Sequence, residues 1–117
     1  MEKRKVLLGE DDADVRRLYA IGLNQRGFEV KLAANGAEAI ERISVERPDF
    51  ILLDWLMPLM SGSEVVTRLS EQGTDGIHII VISGQPPPSQ LPPRIRSWLT
   101  KPLSIDDLVG ELDHPSD

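Results

Sequence analysis

Phe50-Ile51-Leu52-Leu53-Asp54 is an apolar run closed by an acid, and Lys5-Val6-Leu7-Leu8-Gly9-Glu10-Asp11-Asp12 repeats the pattern with three acids behind it. Short unbroken apolar runs suit strands buried on both faces, the condition of inner strands in a parallel sheet. Ile79-Ile80-Val81-Ile82, after His78, is a third such run and stops at Ser83. Glu29-Val30-Lys31-Leu32 alternates polar and apolar, and Trp98-Leu99-Thr100 is very short, so both suit the wetter edges of a sheet.

Helical patterns fill the intervals between these runs. Val15, Leu18, Tyr19, Gly22 and Leu23 recur at helical spacing and predict one inward stripe, ended by Gly27. Asn35 with Glu38, and Ser61 with Glu64, have the spacing of reciprocal caps and predict helices reaching Arg47 and Gln72. Ser104 opens a last helix, with Ile105, Leu108, Val109 and Leu112 inward and a stop at His114-Pro115. The alternation predicts an α/β fold, a doubly wound five-stranded parallel sheet in the order 2-1-3-4-5. The stretch from Ser83 to Ser97 departs from it. Five of the nine prolines lie there, at positions 86, 87, 88, 92 and 93. Each removes a backbone donor and disfavours helix for the residue before it. The crossover helix between the fourth and fifth strands is therefore expected to be degenerate or absent, with at most a short turn from Arg94 to Ser97.

Composition narrows the function. A chain of 117 residues with 40% hydrophobic and 27% charged residues fits one folding domain, 1–117. The formal net charge of −6 repels a phosphate backbone, so direct nucleic-acid binding is not expected. With no cysteine there is no disulfide, thiolate metal site or cysteine nucleophile. Lys3, Arg4 and Lys5 precede an apolar run that stops at Gly9, too short for a leader or a membrane span. A cytoplasmic protein with no membrane association is expected.

In the order 2-1-3-4-5 the first and third strands are neighbours, and ligands of such sheets bind at this switch point, beyond the carboxyl ends of the strands. Glu10, Asp11 and Asp12 follow the first strand there, and Asp54 ends the third. Asp12 or Asp14 suits the cap of the first helix. Glu10, Asp11 and Asp54 have no such role, and three crowded carboxylates either hold protons or recruit a cation. Oxygen ligands without histidine or thiolate point to Mg²⁺. Ser83 and Lys101, at the ends of the fourth and fifth strands, add a hydroxyl and an ammonium suited to an incoming phosphoryl group.

With Ala34-Asn35-Gly36-Ala37-Glu38-Ala39, the run Asp54-Trp55-Leu56-Met57-Pro58 followed by Gly62, and Lys101-Pro102, the order and spacing of these segments resemble the receiver domain of response regulators over essentially the whole chain. The resemblance implies a CheY-like phosphoacceptor rather than an enzyme, with only Mg²⁺-dependent self-phosphorylation and autodephosphorylation. Asp54 would accept a phosphoryl group from a histidine kinase or a histidine phosphotransfer protein. Glu10 and Asp11 would be the acid pair, and Asp11, Asp54 and the Leu56 backbone carbonyl would hold Mg²⁺. Ser83 matches the switch hydroxyl, Trp98 the switch aromatic, and Lys101 the phosphate-binding lysine, with a cis bond to Pro102; Pro58 and Gly62 would shape the acceptor loop. Glu10 stands where the family more often has aspartate. The interval from Ser83 to Lys101 is shorter than is usual, which alters the common output surface. Two other functions compete with a phosphorylatable receiver: a constitutive protein-binding module that keeps the fold without switching, and a Mg²⁺-dependent phosphohydrolase.

Overall fold

The computed structural model describes residues 3–72 and 76–113. Strand and helix alternate as β1 (Lys5–Gly9), α1 (Ala13–Gln25), β2 (Glu29–Ala33), α2 (Gly36–Val45), β3 (Phe50–Asp54), α3 (Gly62–Gln72) and β4 (His78–Ser83), followed by β5 (Ile95–Thr100) and α4 (Ile105–Asp113). The five strands form one parallel sheet in the order β2-β1-β3-β4-β5. The half-wet β2 and the partly exposed β5 lie at its edges. The three apolar runs lie inside, where both faces can be covered.

Side chains alternate across each strand, so the inner strands feed two cores. Leu7, Ile51, Leu53, Ile79 and Val81 pack against α2 and α3 through Ala39, Ile43, Val65, Val66 and Leu69. Val6, Leu8, Leu52, Ile80 and Ile82 pack against α1 and α4 through Tyr19, Leu23, Leu108 and Leu112. Each leucine or isoleucine side chain so enclosed contributes about 1.5–3 kcal/mol relative to exposure.

The caps form as the sequence predicts. Asp12 accepts from the Asp14 and Val15 amides at the start of α1. Asn35 accepts from the Glu38 amide at 2.8 Å, while the Glu38 carboxylate accepts from the Ala34 amide at 3.3 Å instead of from Asn35. Ser61 exchanges bonds with Glu64, and Ser104 with Asp107. α2 stops at Val45, short of Arg47, because Pro48 disfavours helix at the residue before it. The expected stop of α4 at His114-Pro115 lies outside the described residues.

Two expectations are corrected. Leu18 is not in the inward stripe of α1: it is 62% exposed, and Ala20 joins Tyr19 and Leu23 in the core. Leu18 and Ile21 flank a stripe turned by about one position from the one predicted. β5 begins at Ile95 rather than Trp98, so strand replaces the expected turn at Ile95–Ser97. A bond from the Ile95 amide to the Pro92 carbonyl, 3.0 Å, closes the turn before it. Ile95 is buried opposite Ile79, and a register shift admits one extra residue before Ser97 pairs with Ile80.

Residues 84–94 join β4 to β5 without a helix, and residues 84–90 are exposed. Among the described residues no helix is long and apolar enough to cross a membrane.

Candidate functional site

Because all five strands run parallel, their carboxyl ends share one pole of the molecule. Gly9 pairs with Leu53, Asp54 with Ile82, and Ser83 with Thr100, so Glu10, Asp54, Ser83 and Lys101 emerge side by side. Oxygens of Glu10, Asp11 and Asp54 lie within 4.8 Å of one another. Glu10 and Asp54 are buried, whereas Asp11 is exposed at the mouth.

Lys101 is the counter-charge. Its Nζ donates to Glu10 Oε1 at 3.0 Å and to Asp54 Oδ2 at 3.2 Å. The chain delivers it there through a 2.7 Å bond from the Lys101 amide to the Ser83 carbonyl, just before a cis peptide bond to Pro102. Asp54 Oδ1 accepts from the Leu56 amide at 3.1 Å, and Glu10 Oε2 from the Asp12 amide at 3.2 Å.

One ammonium does not neutralise three carboxylates. Burial, reinforced by hydrogen bonding to Asp54, pushes the Glu10 carboxyl up to about 7, against the opposing pull of Lys101 and the Asp12 amide. For Lys101 burial disfavours the charge, but its bonds to Glu10 and Asp54 outweigh that and raise its pKa above the ordinary lysine value. Burial likewise raises the Tyr19 hydroxyl on neighbouring α1. The cluster thus has unspent negative charge around a set of oxygen ligands. That donor set fits a hard divalent cation such as Mg²⁺, which keeps part of its water shell.

Ser83 and Trp98 stand beside the carboxylates rather than among them. Ser83 is buried, and its Oγ accepts from the Gln85 amide at 3.0 Å. Trp98 is half-buried and donates its indole N–H to the Gln85 carbonyl at 3.0 Å. Its ring lies 5.2 Å from that of Trp55, centroid to centroid, at 57°. Pro58 lies in the β3–α3 connection and Gly62 opens α3; Gly62 donates to the Trp55 carbonyl at 3.0 Å and Met60 to the Pro58 carbonyl at 2.7 Å.

Three contributors escape the sequence reading. Arg16, on α1, donates to the Glu10 carbonyl at 2.8 Å and so braces the acid-bearing turn. Gln85 links Ser83 to Trp98 through its own backbone. Trp55 is the ring against which Trp98 lies. Adjacency to Asp54 marks Trp55 in the sequence as a reporter of that site, but its contact with Trp98, like the other two contacts, depends on the fold.

The response regulator receiver domain, as a family, matches residues 6–113. The response regulator receiver protein CpdR of Brucella abortus is 36% identical over 114 residues, with 94% of each chain covered. The response regulator MprA of Mycobacterium ulcerans is 32% identical over 112 residues, covering 92% of this chain but 48% of that protein, so the chain spans about half its length. Among solved structures, the receiver domain of the Francisella response regulator 1452 superposes with a TM-score of 0.88 at 27% identity, covering 95% of this chain and 94% of that one. The response regulator TrrA of Thermotoga maritima, solved in complex with Mg²⁺-BeF, superposes at 0.84 with 26% identity, covering 93% and 96%. Two buried carboxylates, Glu10 and Asp54, bridged by a strand-end lysine, on a sheet of this order and with these relatives, have one explanation: the chain belongs to the response regulator receiver domain family, phosphoacceptors of two-component signalling rather than ordinary enzymes.

Proposed function

We propose that the chain acts as a single receiver domain, residues 1–117, that takes a phosphoryl group onto Asp54 from a histidine kinase or a histidine phosphotransfer protein in the cytoplasm. The observation that carries this is Lys101 Nζ within hydrogen-bonding distance of both Glu10 and Asp54, beside the exposed Asp11. An Asp54 carboxylate oxygen forms the new bond to phosphorus as the P–N bond to the donor's imidazole breaks, and the imidazole keeps the electron pair and regains its proton. Asp11, Asp54 and the Leu56 backbone carbonyl are the residues to hold Mg²⁺, with Glu10 behind them. When bound, the metal neutralises charge on the phosphoryl oxygens. Lys101 exchanges its bond to Asp54 for one to the phosphoryl group. Ser83 gives its hydroxyl hydrogen to the product, and Trp98 responds through the shared contact at Gln85.

Residues 84–94 would then stand where the family carries a helix between its fourth and fifth strands, and the output surface would be this segment with β5 rather than a helix face. The same segment favours a second reading, a protein-binding module that keeps the fold without switching. Mass spectrometry after incubation with phosphoramidate and Mg²⁺ separates the two. One phosphoryl adduct is expected on the parent and on Asp12→Asn, and none on Asp54→Asn. An adduct that persists in Asp54→Asn refutes the acceptor assignment, and a parent without one favours the binding module.

A further inference from the structure

The β3–α3 connection, residues 55–61, carries the proposed Leu56 ligand. Trp55 is fixed through both of its backbone polar groups: its amide donates to the Ile82 carbonyl at 3.1 Å and its carbonyl accepts from Gly62. Met57 is buried in the core next to Gly9, the last residue of β1. Beyond Met57 the chain turns sharply, with Leu59 at φ 67° between Pro58 and Met60. That backbone conformation is unfavourable for leucine, so something outside the turn must hold it.

The holding surface is α2. At Gly36, the first residue of that helix, an added Cβ would lie 2.0 Å from the Met60 carbonyl oxygen and 2.7 Å from Met60 C and Cβ. The obstructing atoms belong mostly to backbone, which cannot step aside as a flexible side chain can. Nothing within α2 calls for glycine, since alanine is the better helix former and Asn35 already supplies the cap. The residue is explained by the loop it admits. We propose that Gly36 is a positioning residue for the metal site: by letting the Met60 backbone seat against α2, it fixes the connection that presents Leu56 and the amide bonded to Asp54. The inference rests on the metal-binding reading above, and it places a determinant of that site on an element that contributes none of its ligands.

The test titrates Mg²⁺ into the parent and its variants by calorimetry and tryptophan fluorescence, with thermal unfolding measured alongside. Gly36→Ala is expected to weaken Mg²⁺ binding by about tenfold, the scale seen when the support of a metal ligand is lost. Met60→Gly, which loosens the seat from the loop side, should weaken it in the same direction. Gly110→Ala, at a helical glycine with open space around it, should leave affinity unchanged. Leu112→Ala damages the opposite core layer and should lower the unfolding temperature without changing the affinity of the folded protein, which separates positioning from general stability. If Gly36→Ala folds and binds within about twofold of the parent, well short of the loss expected for a supporting contact, the inference is overturned. If it does not fold cooperatively, Met60→Gly decides by the same criterion. A parent that binds no Mg²⁺ overturns the metal reading and this inference with it. A parent that binds, with both loop variants matching it, overturns this inference alone.

Discussion

Two connections leave the carboxyl ends of adjacent inner strands, and they are built in opposite ways. Residues 55–61 are pinned at Trp55, Met57 and Met60, each against the backbone or core of another element. Residues 84–94 run exposed from Gly84 to Gln90, touch the sheet through Gln85 at one end, and return to the core at Leu91. The difference follows from what each can bury. The first has Met57 and two close backbone approaches; the second has prolines that can neither donate to a ladder nor form a helix. A site that holds a cation and a reacting group gains from stiffness, because its ligands need no reordering when the ion arrives. A segment that reports the event gains from being easy to reorder.

The largest effect should appear in amide hydrogen exchange. The amides of Gly84, Ser89 and Gln90 are expected to exchange on the order of 100-fold faster than those of Trp55, Met60 and Gly62, since local opening there disturbs little buried surface. Loading with Mg²⁺ and beryllofluoride, an imitation of the phosphoryl group, should slow exchange from Gly84 to Trp98 more than from Trp55 to Ser61. Equal protection of the two connections would erase the contrast, and changes confined to α1 and α3 would remove the second connection from the output route.

Core truncations sharpen the comparison. Met57→Ala should lower unfolding stability in urea by about 2–4 kcal/mol, as expected for a buried side chain leaving a cavity. Leu91→Ala, at a half-buried position on a segment free to collapse, should lose about 1 kcal/mol. Similar losses at the two positions would show that both connections are equally anchored.

The smallest and most specific effect is on pH dependence at the pinned side. Glu10 binds its proton more tightly folded than unfolded, with a folded pKa of about 7 against an ordinary 4.5. The stability this supplies is complete below the unfolded value and is lost as pH rises through the folded one. Metal-free protein should therefore lose stability between pH 4.5 and 7, measured by denaturant midpoints in EDTA. Saturating Mg²⁺, which favours the ionised carboxylate, should flatten or reverse that trend. A metal-free midpoint that rises over this window would contradict the protonated Glu10.

The strand order and the acidic pole were legible in the sequence because both follow from local patterns: apolar runs select inner strands, and the acids sit at their ends. Caps were legible for the same reason. The face of α1 was not, because aliphatic residues at Val15, Leu18, Ile21 and Leu23 support two overlapping stripes, and only packing on the sheet chooses between them. The start of β5 was hidden by Pro92 and Pro93, whose local signal for a turn ran directly into a strand held by Ile79. The Trp55–Trp98 contact, the Gln85 bridge and the seat of Met60 on Gly36 join residues remote in sequence or set by loop shape, so no periodicity announces them. The Asn35-Gly36 pair was visible as a motif, but only Asn35, the cap, has its reason within α2; that of Gly36 lies in a different connection.

Arg4 has a further consequence, for chain connectivity. Its guanidinium donates to the Leu112 carbonyl at 2.9 Å and lies 5.8 Å from the ring centroids of Phe28 and Phe50. It thereby staples the entry to β1 against the last turn of α4, at the pole opposite the carboxylates. A circularly permuted chain, joined at that staple and reopened among the exposed prolines, would still carry Glu10, Asp54, Ser83 and Lys101 on one polypeptide, with Lys101 now ahead of the other three. The order in which the polypeptide is threaded is thus separable from the chemistry at its far end.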